Sequence, residues 1–154
     1  MNKMIATAGL VTGLFLATAA QSREVTLTTK MKTYSGNNAY VVIYVSDAAG
    51  KVQETLWMAG GKSRYYSHLT NWNAASGSQS VDGITGASVG SGRSLTVKVD
   101  IADALIDAGY QIRLDSAVED MTEKPSDVVV PLVSAGSGQA AAGRGYVKSF
   151  QFDM

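Results

Sequence analysis

The chain has 154 residues, of which 45% are apolar and 17% charged, a composition typical of one globular domain rather than a disordered segment. Thirteen basic residues balance thirteen acidic ones, so the net charge does not indicate binding to nucleic acid or to an anionic membrane surface. The absence of Cys and the presence of a single His exclude disulfides, thiolate catalysis, iron–sulfur clusters, c-type haem attachment and a His-rich metal site.

The N-terminus has the pattern of an export signal. Lys3 is followed by an apolar stretch over residues 4–17 and by the small residues Ala17-Thr18-Ala19-Ala20. The stretch is shorter than the roughly 20 residues of a membrane-spanning helix, and it ends in residues that suit signal peptidase. We therefore expect residues 1–20 to be a cleaved signal peptide, with an uncleaved anchor as the alternative. Residues 21–154 would then be a single periplasmic domain without stable membrane insertion.

The mature region is predicted to consist mostly of short strands separated by turns. Apolar and polar residues alternate in most of these segments, which is the pattern of half-buried strands. A nearly continuous apolar run over residues 39–46 indicates a central strand, whereas Pro131 places its strand at a sheet edge. The predicted strands cover residues 24–34, 39–46, 52–58, 94–100, 110–116, 128–133 and 146–152.

The segments between these strands are predicted to contain one short helix and one long loop. Tyr65, Leu69 and Trp72 recur at helical spacing, so residues 62–75 are predicted to be that helix. Residues 76–92 are rich in Gly and Ser and form the loop, and loops of this length are often functional. Because no βαβ rhythm is visible, the predicted fold class is an all-β, immunoglobulin-like antiparallel β-sandwich with one short helix.

Three parts of the chain fit this pattern less well. Residues 101–109 suit either a helical turn or a structured connection, and residues 120–127 are polar and contain a proline. In the last strand, the face that carries Tyr146 and Phe150 also carries Lys148, which is the exception to its apolar pattern.

The segment Asp82-Gly83-Ile84-Thr85-Gly86-Ala87-Ser88 lies in the predicted loop. It resembles the flavinylation motif that periplasmic FMN transferases recognise, in which the last hydroxyl becomes a phosphoester with FMN. Matched in order, the acid is Asp82, the first hydroxyl Thr85, the small pair Gly86 and Ala87, and the acceptor Ser88. The acceptor in the best-known flavinylated proteins is Thr, so Ser88 departs from the pattern while remaining a nucleophile of the same class.

The chemistry of esterification suits such a segment. An acceptor hydroxyl must enter another enzyme's active site, so it needs an exposed loop. Small neighbours allow the backbone to approach a phosphate, and the amides of a Gly-rich turn can hold phosphate oxygens. Asp82 is expected to bond the turn or to orient the acceptor. The alternative is an ordinary turn in which Gly86 supplies a positive φ.

The order of short motifs along the chain extends the resemblance. Leu56-Trp57, Gly60-Gly61-Lys62, Arg64-Tyr65, the loop motif and Gly109-Tyr110 follow one another as in the exported family called domain of unknown function 2271, over roughly residues 23–153. Members of that family resemble immunoglobulin-type sandwiches and are associated with exported, flavin-dependent electron transfer. The resemblance implies covalent FMN at Ser88, a periplasmic FMN transferase that attaches it, and a membrane or periplasmic redox partner, with the protein as a carrier rather than a substrate-specific enzyme.

Several side chains near the motif have two interpretations. Trp72, Tyr66 and Tyr65 could stack on an isoalloxazine ring or pin the helix to the core, whereas Trp57 is expected in the core. His68 could contact the flavin or face solvent. The cations that could pair with a phosphate, or be solvated, are Lys62, Arg64 and Arg93. The alternative function is an unmodified, exported immunoglobulin-like binding or interaction module.

Overall fold

Strands with one apolar face pair into two sheets, and the sheets bury those faces against each other. The computed structural model describes residues 20–77 and 79–154. The strands are β1 (Ser22–Met31), β2 (Tyr40–Ser46), β3 (Val52–Ala59), β4 (Thr85–Gly86), β5 (Ser94–Ala102), β6 (Gln111–Ala117), β7 (Lys124–Pro131), β8 (Ala141–Ala142) and β9 (Val147–Asp153). One α-helix, α1 (Thr70–Ser76), follows a 3-10 segment at Ser63–His68, and shorter 3-10 segments lie at Asp103–Leu105 and Ser134–Gly136.

The four-stranded sheet has the order β5-β1-β9-β8, and the five-stranded sheet has the order β4-β3-β2-β6-β7. Neighbouring strands run antiparallel, except that β4 pairs in parallel with β3. This arrangement confirms the predicted all-β sandwich. It also confirms that the strand with Pro131 lies at a sheet edge.

The main core lies between the two sheets. Its largest fully buried members include Leu27 of β1, Ile43 of β2, Leu114 of β6 and Phe150 of β9. Burial of such side chains contributes about 1.5–3 kcal/mol each to folding, and this stabilisation replaces the disulfides that the chain lacks.

A second core cluster lies on the outer face of the five-stranded sheet, where the helix covers it. Val42 and Tyr44 of β2 pack there with Met58, Leu69 and Trp72. Both faces of β2 are therefore buried, and β2 is the middle strand of its sheet, which confirms the central strand that its apolar run predicts.

A buried carboxylate fastens this helix to the sheet. Asp115 is fully buried, and its oxygens accept hydrogen bonds from the Trp72 amide at 2.7 Å, the Ser126 amide at 2.8 Å and the Tyr44 hydroxyl at 3.2 Å. Burial raises the pKa of Asp115, although these hydrogen bonds favour its charged form.

Five local features differ from the predictions. The helix predicted for residues 62–75 is divided into the 3-10 segment and α1, and residues 101–102 continue β5. The segment predicted as a loop over residues 76–92 contains β4, and the connection between β7 and β9 contains β8, each a strand of two residues. β7 begins earlier than predicted, at Lys124. Lys148 is exposed, because a register shift opposite Lys30 and Met31 turns Val147 into the core.

The expected signal peptide falls on residues 1–20, and residues 1–19 lie outside the described residues. Within the residues that the structure describes, no helix combines the length and the apolar character needed to cross a membrane.

Candidate functional site

The motif begins with a tight turn. The Ile84 amide donates to the Val81 carbonyl at 3.1 Å, and Gly83 has a φ of 79° at the third position of this turn. A positive φ at that position is the requirement of a type II turn. The positive φ therefore belongs to Gly83, and the expectation that Gly86 supplies it is wrong.

Two sets of backbone hydrogen bonds anchor the motif. On one side, the Met58 amide donates to the Ile84 carbonyl and the Gly60 amide to the Gly86 carbonyl, each at 2.8 Å, which forms the parallel pairing of β4 with β3. On the other side, Ala39 and Val89 exchange hydrogen bonds of 2.7 and 2.8 Å in an isolated antiparallel bridge. Residues 87 and 88 span the gap between the two anchors.

Gly86 lies directly against the indole ring of Trp57. A Cβ atom at Gly86 would be 2.7 Å from Trp57 Cζ2, closer than carbon atoms in proteins approach. The indole Nε1 atom is buried and has no hydrogen-bond partner among the described residues. The glycine of the motif is thus needed for close approach of β4 to an aromatic ring, and this ring carries an unused donor.

The motif and the start of β5 border a groove of about 370 Å³ at the open edge between the two sheets. Ser88 is partly exposed and lines this groove. Its hydroxyl, its amide and the amide of Ala87 form no hydrogen bond with any residue of the described ranges. The other residues lining the groove are Trp57, Gly86, Ala87, Val89, Gly90, Arg93, Ser94 and Leu95.

Arg93 is the ionisable side chain of this groove, considering the part of the chain that the structure covers. It is exposed, and its amide closes a turn on the Gly90 carbonyl at 3.0 Å. The other two candidate cations lie elsewhere: the Lys62 amide donates to the Tyr40 hydroxyl at 3.2 Å, and the Arg64 guanidinium lies 4.8 Å from the centre of the Tyr65 ring.

Asp82 and Thr85 are both exposed and lie outside the groove lining. The Asp82 carboxylate bonds none of the residues described, although its amide donates to the Ser80 hydroxyl at 3.3 Å. Both side chains are therefore open to a second protein rather than engaged in holding the loop.

Trp72 is not an open stacking surface, which corrects the expectation drawn from its position in the sequence. Only 2% of its surface is exposed, and its Nε1 atom donates to Thr55 Oγ1 at 2.9 Å within the second core cluster. Tyr66 is half-buried beside it, with ring centres 6.1 Å apart, and its hydroxyl donates to the Gly60 carbonyl at 2.8 Å. Tyr66 supports the end of β3 and does not line the groove.

His68 also lies away from the groove. Its Nδ1 atom is 2.9 Å from Glu123 Oε1, and both side chains line a separate cavity at the end of the five-stranded sheet. The structure thus brings Ser88 together with Gly86, Ala87 and Arg93, and it separates Ser88 from His68 and Trp72.

The comparison with protein families agrees with the order of motifs. The family model described as "Predicted periplasmic protein (DUF2271)" matches residues 22–149. The chain belongs to this family. Its location is periplasmic, as the N-terminal pattern indicates. Among curated proteins and among solved structures, none matches the chain at a significant level.

In this DUF2271 protein, sequence reasoning missed one aromatic residue of the groove. Trp57 packs against the main core, as expected, but its partly exposed ring also forms the wall beside Ser88. The sequence does offer one signal for this contact. Trp57 lies near the end of a predicted strand, and a segment that contains a glycine can pair with such a strand and lie against the ring. The parallel pairing itself leaves no pattern in the sequence.

Proposed function

We propose that this periplasmic protein carries one FMN joined through a phosphoester to the Ser88 hydroxyl and acts as an electron carrier. The supporting observation is the surroundings of Ser88, whose partly exposed hydroxyl lies beside two backbone amides that are free of hydrogen bonds to described residues. A hydroxyl that is modified by another enzyme must be reachable from solvent.

The attachment step is a transfer of FMN from FAD, performed by a separate periplasmic FMN transferase. The Ser88 Oγ atom attacks the phosphorus of the FMN half, an Oγ–P bond forms, and the P–O bond to the AMP half breaks. AMP leaves, and the hydroxyl proton passes to a base of the transferase. The exposed Asp82 and Thr85 side chains are available for recognition by this enzyme.

The charges and amides around Ser88 suit the phosphate of the product. A phosphodiester carries one negative charge, and Arg93 lines the same groove. A guanidinium and an anionic oxygen form a charge-assisted hydrogen bond, which is shorter and stronger than a neutral one. The amides of Ala87 and Ser88 provide two further donors for the same oxygens.

The wall of the groove suits a flat aromatic ring. Its volume of about 370 Å³ falls within the range of about 300–1,000 Å³ that is usual for small-molecule sites. Trp57 supplies a partly exposed aromatic surface on which a flat ring can stack. The bound flavin supplies reversible electron transfer, and the protein supplies the tether, the aromatic wall and the charge near the phosphate.

The test is the intact mass of the protein after export in cells that contain an active FMN transferase. We expect an increase of about 438 Da, the mass of FMN less water, and yellow fluorescence that survives denaturation. Ser88→Ala removes the adduct. Ser94→Ala is the matched control, because Ser94 is a hydroxyl of the same groove outside the motif, and it keeps the adduct.

An unmodified mass, in cells where the transferase modifies another acceptor protein, refutes the proposal and favours an unmodified binding module. An adduct that persists in Ser88→Ala refutes the assignment of the site. Because Ser88 lies in a loop and its hydroxyl bonds no described residue, Ser88→Ala is expected to fold as the natural protein does.

A further inference from the structure

A second cavity, which the flavin proposal does not use, opens at the end of the five-stranded sheet. It has a volume of about 400 Å³ and lies beside the Ala39–Val89 bridge, on the side of Asn38 and Tyr40. We call it the tyrosine cavity after Tyr40 and Tyr65, whose rings form two of its walls. Their centres are 5.6 Å apart and their planes meet at 81°, so the two rings form a corner.

The rim of the tyrosine cavity is made by the turn that follows β6. The Met121 amide donates to the Val118 carbonyl at 3.1 Å, and Asp120 has a φ of 60° within this turn. The turn presents the Met121 side chain, which is 36% exposed, more than any other large apolar side chain in the described part of the chain. Met121 lines the cavity together with the two tyrosines, and a methionine side chain is an adaptable apolar surface.

The charges of the cavity are negative. Glu119, Asp120 and Glu123 line it together with His68, and the lining contains neither Lys nor Arg as far as the described ranges extend. The hydrogen bond from His68 lowers the pKa of Glu123, so that this carboxylate is ionised at neutral pH. Glu119 is fixed by the Asn37 side-chain amide, which donates to it at 2.9 Å.

We propose that the tyrosine cavity binds a small organic cation, an ammonium or substituted ammonium group carried on a short apolar body. A cation gains from the negative faces of aromatic rings, and tyrosine rings arranged at an angle can contact it from two sides. The carboxylates favour positive charge and repel anions. Met121 and Val118 receive the apolar body. The proposal does not depend on flavin attachment.

Within the protein itself, the Tyr65 ring already contacts one cation. The Arg64 guanidinium lies 4.8 Å from the centre of the Tyr65 ring, and the Arg64 side chain donates to the Tyr65 hydroxyl at 3.2 Å. Arg64 is not part of the cavity lining, whereas Tyr65 is.

The experiment is a titration of the purified mature protein with three probes of the same shape, followed through backbone amide chemical shifts at low ionic strength. The probes are choline, 3,3-dimethylbutan-1-ol and 3,3-dimethylbutanoate, which are cationic, neutral and anionic. We expect choline to shift the signals of the cavity residues and to bind about tenfold more tightly than the alcohol, and the anion to bind least.

Two pairs of variants separate the aromatic and electrostatic contributions. Tyr65→Leu lowers the affinity for choline about five- to tenfold, whereas Tyr65→Phe keeps the ring and stays within about twofold. Glu123→Gln lowers it about threefold, whereas Asp100→Asn, the same charge change on the other sheet, leaves it unchanged.

The proposal is overturned if choline shifts no cavity signal, or if the alcohol binds as tightly as choline. Equal affinities of Tyr65→Leu and the natural protein overturn it too, provided that the spectrum of the variant is that of a folded protein. The FMN adduct at Ser88 is measured by mass, so its presence or absence does not affect this outcome.

Discussion

The contact between Gly86 and Trp57 allows a quantitative test of how the motif is built. In Gly86→Ala, the new Cβ atom would lie 2.7 Å from Trp57 Cζ2, whereas carbon atoms pack best at about 3.5–4.0 Å. Either the ring or β4 must move by roughly 1 Å. Overpacking of this kind costs about 1–3 kcal/mol of unfolding free energy, and we expect that loss for Gly86→Ala.

The assay is urea unfolding, with the midpoint compared at constant slope. Gly61→Ala is the matched control, because a Cβ atom at Gly61 meets nothing within 4 Å, and we expect a change below about 0.5 kcal/mol. In a Trp57→Phe background the clashing atom is gone, so the penalty of Gly86→Ala should fall by about 1 kcal/mol or more. A Gly86→Ala protein as stable as Gly61→Ala, or an equal penalty in both backgrounds, would show that this contact does not hold the motif.

Two further predictions concern the second core cluster. Burial raises the pKa of Asp115 above 3.8, so the folded state binds a proton at this carboxylate more readily than the unfolded state does. The contribution of Asp115 to the free energy of unfolding therefore grows as the pH falls from neutral towards 3.8. Asp115→Asn should lose this slope in urea unfolding measured against pH, and parallel slopes would contradict it. Trp72→Phe removes a 2.9 Å hydrogen bond to buried Thr55 and should lower the free energy of unfolding by about 1–3 kcal/mol. We expect a smaller loss for Trp57→Phe, because the Trp57 indole has no hydrogen bond to a described residue. The reverse order in thermal unfolding would contradict this prediction.

The parts of the fold that could be predicted are those in which one strand or helix carries its own pattern. The apolar run of β2 predicts a central strand, and β2 indeed lies in the middle of its sheet, with one face against the other sheet and the opposite face against α1. Similarly, the spacing of Leu69 and Trp72 predicts a helix in this segment, which α1 confirms in part, and both residues are buried in the second core cluster.

The parts that could not be predicted depend on partners distant in the sequence. β4 has two residues and no periodicity, and it exists because Met58 and Ala59 offer a free strand edge. Lys148 breaks the apolar pattern of β9 because a bulge forms against β1, and a bulge depends on the register between two strands.

The same reasoning applies to the candidate site. The motif, its loop position and the exposure of its hydroxyl follow from the residues themselves. Which aromatic ring stands beside Ser88 does not, because Trp57 and Trp72 lie on opposite faces of one sheet: Trp57 packs on the main core, whereas Trp72 belongs to the second cluster. The pattern of residues within one segment does not show which face of the five-stranded sheet the loop with Ser88 approaches.

The two backbone anchors of the motif have a consequence for any group esterified to it. Only residues 87 and 88 lie between the β4–β3 pairing and the Ala39–Val89 bridge, so the protein end of such a linkage is anchored by backbone hydrogen bonds on both sides. The range of positions open to a tethered chromophore would then depend mainly on the ribityl-phosphate chain that links it to Ser88. Inserting residues between Ser88 and Val89 would leave the motif intact, lengthen the segment between the two anchors and increase the volume that the chromophore can reach.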